Sequence, residues 1–516
     1  MQPRQLPRLF YHWLKGGRRL EGYKMKRHVA AVIVGVLACT GTISAQEAHS
    51  HPPPEKLGTV TFATSCAPKV SRDFKRAVAL LHSFAYTAAE KAFLDVAAAD
   101  PSCAMAHWGV AMSYYHQLWS PPGPAELKQG QAQVDQATQL KVGTRRESQF
   151  IAAIAAYYRD FDHLPHSVRA KNYEEAMSVT AKSNPSDIEA QVFYALALIA
   201  TAPPTDKSHA NQKRAALILE PIYLKYPDHP GVAHYLIHDS DSTELASHGL
   251  AAARAYSKIA PSAPHALHMP SHIFTRLGLW DDSIASNTAA RAAAHRDGDV
   301  GEELHAMDYL VYAYLQRDRQ QDAEQVVASL ASMNGLSAGD FKIGYAVTAM
   351  PVRLVMERHA WDAASSLQVL PDSAPHVAAA VYWARAVSNA RAGRPQAADA
   401  DIAQLENCRQ KLQAAGNEYW TTQVNVLTLE AKAWQFAATG QADEAVRLLR
   451  QAADEEDAVE KLPVTPGPIV PAREQLGDLL LTLHRQREAL HEYQGALIDA
   501  PGRRGALIGA AEAAKN

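Results

Sequence analysis

Histidine is concentrated in one part of this 516-residue chain, which carries 23 histidines in all. His234 and His238 lie in His-Tyr-Leu-Ile-His, and His265, His268 and His272 lie in His-Ala-Leu-His-Met-Pro-Ser-His. In a helix, residues four apart share one face. The side chains of His234 and His238 therefore point in one direction, and so do those of His268 and His272. Neutral imidazole binds copper, zinc, iron and nickel. The five histidines are therefore predicted to be ligands of a transition metal ion, with copper, zinc or iron as the cofactor.

The two histidine pairs also stand in register with each other. Pro227 and Pro261 are 34 residues apart, and the first histidine of each pair comes seven residues after its proline, the second eleven. If the prolines mark successive helical repeats, the pairs occupy equivalent positions on helices that lie side by side, roughly 8 to 10 Å apart. Imidazoles that reach across this gap could meet at one ion.

Further polar residues lie near the cluster in the sequence. Asp239, Asp241 and Glu244 follow the first pair, and carboxylates at such positions either bind a metal or orient the ligating imidazoles. His305 and Asp308 come on the next predicted helix and could extend the cluster. Three interpretations stay open: a metal site, a groove that binds an acidic or aromatic ligand through histidine, and structural packing.

Several common functional classes have no support in the sequence. It contains no Gly-rich phosphate loop, no Gly-x-Ser-x-Gly, no Cys-x-x-Cys and no His-Glu-x-x-His. The 51 Lys and Arg against 54 Asp and Glu give a net charge of −3, which offers no general attraction to nucleic acid or anionic lipid. A nucleic-acid partner is therefore not expected.

The elements that must position the histidines are helices. Residues 74–99, 173–182, 246–259 and 442–453 are rich in Ala and Leu, with apolar residues three and four apart, and strand-like alternation is nowhere sustained. The fold is therefore predicted to be all-α. Pro270, inside the second histidine segment, predicts a kink or a new helix start.

A repeat runs through these helices. Prolines follow predicted helices, and five residues after each proline stands an alanine, as expected where two helices cross closely. These alanines are Ala106, Ala190, Ala266 and Ala506, after Pro101, Pro185, Pro261 and Pro501. Short turns such as Leu277-Gly278-Leu279-Trp280 recur between the helices, and many are followed by an acidic residue and Ala.

In these features the chain resembles the tetratricopeptide repeat (TPR) family, whose repeat of about 34 residues is a helix, a tight turn and a second helix. The resemblance covers residues 67–516, except that 120–139 and 454–471 look like insertions. It implies a right-handed superhelical solenoid of antiparallel helix pairs. The segment His-Met-Pro-Ser-His-Ile also resembles a set of exported bacterial TPR proteins.

The resemblance further implies a concave groove lined by the first helices, which takes a protein, a peptide or a small molecule as partner. The histidine cluster would then lie on this binding surface. The other residues predicted to line the groove are His116, Trp119, Glu244, His305 and Asp308.

The N-terminus has the parts of a secretory signal peptide. Met25-Lys26-Arg27 is basic, residues 29–38 are apolar, and small residues end at Ala45. The apolar part is well short of the roughly 20 residues that span a bilayer, so no transmembrane anchor is expected after cleavage. Residues 1–45 are predicted as N-terminal extension and signal peptide, and 46–66 as an extended leader. A periplasmic or secreted protein is expected, with a lipoprotein at Cys39 as the less favoured alternative.

Cleavage would leave three cysteines, Cys66, Cys103 and Cys408, in an oxidising compartment. A bond between Cys66 and Cys103 would join the leader to the first repeat, and three buried thiols are the alternative.

Two hypotheses of function follow. In the first, the concave groove binds a partner and the histidines are its functional centre. In the second, the same histidines make the chain a transition-metal protein or a metalloenzyme. The second requires at least three imidazole nitrogens about 2.1 Å from one point, whereas the first does not.

Overall fold

The computed structural model describes residues 55–118, 121–140 and 142–515, and within this part of the chain every regular element is a helix. The prediction of an all-α solenoid is confirmed. Residues Lys56–Asn516 form one compact unit. The predicted signal peptide and Trp119 lie outside the described residues. Among the described helices, none is both long and apolar enough to cross a membrane.

Twenty-three α-helices and four short 3-10 helices follow one another along the described chain. The α-helices are α1 (Ser71–His82), α2 (Tyr86–Ala99), α3 (Ala104–Tyr114), α4 (Pro124–Gln139), α5 (Arg145–Tyr158), α6 (His166–Ser183), α7 (Ile188–Ala200), α8 (Ala210–Lys225), α9 (Pro230–Asp239), α10 (Ala246–Ile259), α11 (Pro264–His268), α12 (Pro270–Arg276), α13 (Trp280–Asp297), α14 (Val300–Gln316), α15 (Gln320–Ser329), α16 (Phe341–Glu357), α17 (Pro375–Arg391), α18 (Asp399–Ala414), α19 (Glu418–Ala438), α20 (Ala442–Asp457), α21 (Ala472–Thr482), α22 (Gln486–Asp499) and α23 (Arg504–Ala513). The 3-10 helices are Pro68–Val70, Leu330–Ser332, Trp361–Ser366 and Pro395–Ala398.

Consecutive helices pack as antiparallel pairs, and the second helix of each pair also packs on the first helix of the next. The four alanines of the repeat, Ala106, Ala190, Ala266 and Ala506, are completely buried, because a methyl group is all that fits at these crossings. Residues 124–139 form α4, which packs on α3 as an ordinary second helix. The interpretation of this stretch as an insertion was therefore wrong.

Many of the tight turns between paired helices contain a residue with left-handed backbone. Gly278, Gly393 and Gly440 fill this position in three of them, and Asp318 and His484 in two others. Gly278 has a further constraint, because a Cβ atom there would collide with the carbonyl of Pro501. At this turn glycine therefore allows both the left-handed backbone and the close approach of Pro501, which lies between the last two α-helices.

Residues 56–66, near the start of the described chain, contain no helix or strand and run along the starts of successive first helices. The Thr59 amide donates to the Asp228 carbonyl before α9, and the Ser65 amide donates to Glu147 in the first turn of α5. Phe62 is buried against Trp108 and Phe150. A disulfide joins Cys66 to Cys103 at the start of α3, so this segment is tied to the body at several points.

A second irregular segment, residues 458–471 between α20 and α21, returns to the middle of the chain. Lys461 contacts Asp241 at 2.8 Å, the Tyr309 hydroxyl donates to the Thr465 carbonyl at 3.2 Å, and Arg353 donates to the Pro468 carbonyl at 3.0 Å. The side chains of Val464 and Thr465 are buried. We name residues 458–471 the covering loop, because they close over the site described below.

Loss of the disulfide should destabilise the fold. A Cys66→Ala/Cys103→Ala variant removes a link between residues 37 apart in sequence, and we expect a loss of about 2–4 kcal/mol in the free energy of unfolding. Denaturant unfolding with and without a reducing agent measures this. Cys408→Ala is the control, because Cys408 is a buried free thiol and its variant should respond to the reducing agent as the parent does. Equal stability of parent and double variant under oxidising conditions would contradict the prediction.

Candidate metal centre

Six histidines from four helices meet in the interior of the helix stack. His234 and His238 come from α9, His265 and His268 from α11, His272 from α12 and His305 from α14. All six side chains are buried, and the most exposed of them, His238, shows only 6% of its surface. A new helix, α12, begins at Pro270 directly after α11, as predicted, so that His268 and His272 come from two consecutive helices.

The six histidines divide into two groups of three. The first triad is His234, His238 and His265, and the second triad is His268, His272 and His305. Within each triad, one nitrogen from every ring lies within 4.8 Å of the others. The two pairs that the repeat places in register, His234 with His238 and His268 with His272, thus belong to different triads and do not form one four-histidine site. Each pair instead gains a third ring, from α11 for the first triad and from α14 for the second.

Hydrogen bonds fix the proton of four rings on the outer nitrogen. The Nδ1 atom of His234 donates to the carbonyl of His82 at 2.6 Å, and that of His268 donates to the amide oxygen of Asn287 at 2.6 Å. Two more outer nitrogens donate to carboxylates: His265 to Glu302 at 3.0 Å, and His272 to Asp241 at 2.9 Å. These oxygens can only accept. In the neutral ring the Nε2 atom therefore carries the lone pair.

The consequence is clearest in the second triad, where the Nε2 atoms of His268 and His272 face each other at 3.0 Å. Both nitrogens carry lone pairs when both rings are neutral, so no hydrogen atom links them. In the first triad the Nε2 atoms of His234 and His238 are 3.1 Å apart. Two nitrogens that share a tetrahedral ion at about 2.1 Å lie roughly 3.4 Å apart, so both separations are close to ligand spacing.

Burial keeps these rings neutral. Desolvation, with further repulsion from neighbouring histidines, holds the pKa of His234, His238, His268 and His305 well below the usual value. For His272, burial lowers the pKa to about 4 despite the opposing effect of Asp241. The rings named here are therefore in the form that binds metals at neutral pH.

The two carboxylates that orient the rings are themselves paired with cations. Asp241 contacts Lys461 of the covering loop at 2.8 Å and Arg276 of α12 at 2.9 Å. Although burial opposes it, these two cations hold the pKa of Asp241 well below its usual range. Glu302 forms an ion pair with Lys342 of α16. Each carboxylate that orients a ring is thus paired with at least one cation before any ligand is added.

Aromatic rings complete the wall of the site. Phe84, in the left-handed turn after α1, packs on His234 with ring centroids 4.3 Å apart. Tyr309, one turn after His305 on α14, packs on His268 at 4.8 Å and on His272 at 5.1 Å. Because Tyr309 also donates to the covering loop, the second triad lies directly beneath that loop.

The residues predicted to line a ligand groove are scattered. His305 joins the second triad, and Asp308 is buried beside Arg353 at 3.6 Å. Glu244 is half-exposed and pairs with Lys213 at 2.9 Å, whereas His116 packs on Tyr86 with ring centroids 4.5 Å apart. These residues do not meet at one place in the described structure, and the predicted groove stays a prediction.

Sequence reasoning missed the orienting residues Glu302 and Asn287, and a further buried group behind the first triad. In that group Glu189 accepts hydrogen bonds from Nε2 of His82 at 2.8 Å and of His229 at 3.2 Å. The Tyr235 hydroxyl contacts the other nitrogen of His82 at 2.9 Å. These side chains form hydrogen bonds with one another. The group supports the first triad because the backbone carbonyl of His82 accepts the hydrogen bond from Nδ1 of His234.

Comparison with known proteins adds only remote structural neighbours. No family model matches the chain, and no curated protein sequence matches it significantly. Among solved structures it is similar to an IFIT1 monomeric mutant with Gppp-AAAA (TM-score 0.37, 11% identity, 80% of this chain and 90% of that chain). It is also similar to the P58(IPK) TPR domain (0.22, 13%, 87% and 98%) and to Naa15/Naa10 bound to HypK (0.24, 12%, 81% and 62%). Likenesses this weak carry no argument about function.

The support beneath the first triad can be tested by one methyl group. A Cβ atom at position 231 would lie 2.7 Å from Cγ of His82, so Gly231→Ala should displace the ring and lower the free energy of unfolding by about 1–3 kcal/mol. Denaturant unfolding measures the change. Gly301→Ala is the matched control: it also lies in a helix, its added methyl would meet only flexible side chains, and it should be neutral or slightly stabilising. Equal effects of the two changes would argue against a tightly packed support.

Proposed function

We propose that this protein binds transition metal ions in the two histidine triads. The observation that carries the proposal is the pair of Nε2 lone pairs of His268 and His272, which face each other at 3.0 Å with both outer nitrogens committed to oxygen acceptors. Two lone pairs in a buried site repel each other, and a bound cation turns this repulsion into coordination. The spacing within the first triad supports the same use.

The donor set supports copper, zinc, iron or nickel over calcium or magnesium. All six inner ligands are imidazole nitrogens, which suit these transition metals, whereas the hard cations prefer oxygen. The orienting oxygens of Asp241, Glu302, Asn287 and the His82 carbonyl act on the outer nitrogens, as partners that raise ligand basicity do. Chemistry at such a site would be that of a small ligand bound to the metal, because the burial of the rings leaves no room for a large one.

We further propose that the protein works outside the cytoplasm. The signal-peptide pattern of residues 1–45 supports this, and the disulfide between Cys66 and Cys103 supports it independently, because such bonds persist in oxidising compartments. A protein, a peptide or a small molecule bound on the solenoid surface remains part of the proposal. Such a partner would contact surface residues, because the six histidines are buried.

Elemental analysis of the tag-free mature protein tests the metal proposal. We expect about two equivalents of transition metal after incubation with copper, zinc or iron and removal of excess ion, one for each triad. His234→Ala should lose the metal of the first triad, and His268→Ala that of the second. Bound metal should also raise the unfolding temperature of the parent, because the ion binds the folded state.

The exposed His491 supplies the control, since His491→Ala should keep both ions. Circular dichroism establishes that each variant is still folded. A folded parent that retains no metal under any of these conditions would refute the proposal. Equal retention by the parent and both triad variants would place the metal elsewhere.

The covering loop should control the release of metal. Lys461→Met removes the ammonium group that holds the loop to Asp241, so we expect unchanged stoichiometry and a roughly tenfold or greater increase in the rate of metal loss to a chelator. Stopped-flow mixing with a chromophoric chelator measures this rate. Lys91→Met, which removes only an exposed ion pair with Asp95, should release metal as the parent does. Equal rates for the two variants would show that the loop does not limit release.

A further inference from the structure

The two triads are in direct contact with each other. The rings of His238 and His272, which belong to different triads, have centroids 6.0 Å apart, and those of His265 and His268 are 6.1 Å apart. Within the second triad, His272 and His305 are also 6.1 Å apart. The separation between the triads is thus no larger than a separation within one. Two ions held by these rings would share one enclosure, as in two-metal sites whose ions are about 3.5–4 Å apart.

Among the described residues, both triads consist of histidine alone, with no carboxylate in either. Asp241 and Glu302 contact the rings on the outer nitrogens, on the far side of the rings from the Nε2 atoms. No carboxylate of either triad can therefore bridge two ions, and we expect the bridging atom to come from outside the protein. The exogenous ligand of this site is a small molecule that can touch two metals at once.

Charge selects the metal. The negative charge of Asp241 is already matched by Lys461 and Arg276, and that of Glu302 by Lys342, so the inner ligands offer no spare negative charge. Two divalent ions would bury four positive charges without compensation, and two copper(I) ions only two. Imidazole is a suitable ligand for both oxidation states of copper.

Dioxygen matches this site in charge. When two copper(I) ions bind O₂, each ion gives up one electron and O₂ takes up both, which yields two copper(II) ions and one bridging peroxide dianion. No proton or further reductant is needed, and the total charge of the centre stays the same, so the buried site needs no new counter-ion. All six histidines are at most 6% exposed, and the covering loop closes over the second triad, so the site favours a small apolar gas over a large ligand.

We propose that the two triads form one dinuclear copper centre whose ligand is dioxygen. This inference rests on the proposed metal-binding function and deepens it, since it names the metal, the pairing and the ligand. The observations that carry it are the ring contacts between the triads, the absence of a carboxylate from both triads among the described residues, and the pairing of the neighbouring carboxylates with cations.

The experiment uses the full mature protein, loaded with copper(I) without air and then exposed to dioxygen. We expect the copper to become copper(II) with almost no paramagnetic resonance signal, because a shared bridge couples the two spins. An intense near-ultraviolet charge-transfer band should appear at the same time. Acid denaturation should release hydrogen peroxide in an amount equal to the copper pairs.

His305→Gln is the informative variant, because it removes a ligand of the second triad and leaves the first intact. Its remaining copper should give an ordinary isolated copper(II) signal after oxidation and release no stoichiometric peroxide. His491→Gln, an exposed histidine, should behave as the parent. Circular dichroism and the unfolding temperature check that the variant is folded. If His305→Gln does not fold, His238→Gln makes the same test from the first triad.

The outcomes separate the two proposals. If the folded parent retains no copper and no other transition metal, the proposed function fails and this inference with it. If it retains copper in both triads but shows the full signal of two uncoupled ions after chemical oxidation, metal binding stands and the pairing is refuted. If the paired copper(I) does not react with dioxygen, the assignment of the ligand is refuted.

Discussion

The central constraint in this structure is the burial of six imidazoles whose inner nitrogens face one another. Such a cluster is costly to fold, because lone pairs are removed from water without hydrogen-bond donors to replace it. The rest of the local structure acts to hold the rings in place. Oxygen acceptors from the turn after α9, from α13, from α14 and from the end of α1 fix the outer nitrogens, and the covering loop adds Lys461 to Asp241. A tertiary arrangement that fixes so many orientations at such a cost is typical of functional sites.

The solenoid explains how the rings come together. In a stack of helix pairs, equivalent positions on successive first helices become neighbours, and the register of His234 with His268 places two histidine pairs side by side. The repeat register supplies two rings to each triad. The third ring of each triad comes from outside this register, His265 of α11 in the first and His305 of α14 in the second.

The sequence predicted the helices, the pairing of helices, the break at Pro270 and the clustering of His234, His238, His265, His268 and His272, because each depends on spacing along one helix or between two neighbours. It did not predict the division into triads, and it missed Glu302 and Asn287. These two residues orient histidines of a different helix, so their roles depend on how the helices pack and not on a sequence pattern within one helix. From the sequence, the covering loop is recognisable only as part of the apparent insertion at residues 454–471. Its position depends on contacts of Lys461 and Thr465 with residues more than 150 positions earlier, and no local pattern encodes such contacts.

The covering loop and the histidines also belong to one energetic unit. Asp241 orients His272, and Lys461 and Arg276 neutralise Asp241, so opening the loop would leave a buried carboxylate with one cation in place of two. A bound ion that draws electron density from His272 would strengthen the hydrogen bond from its Nδ1 to Asp241, because the ring becomes a better donor. Metal binding and loop closure should therefore favour each other by linkage. Since the loop connects α20 with α21, this coupling extends from the centre of the solenoid to its C-terminal helices.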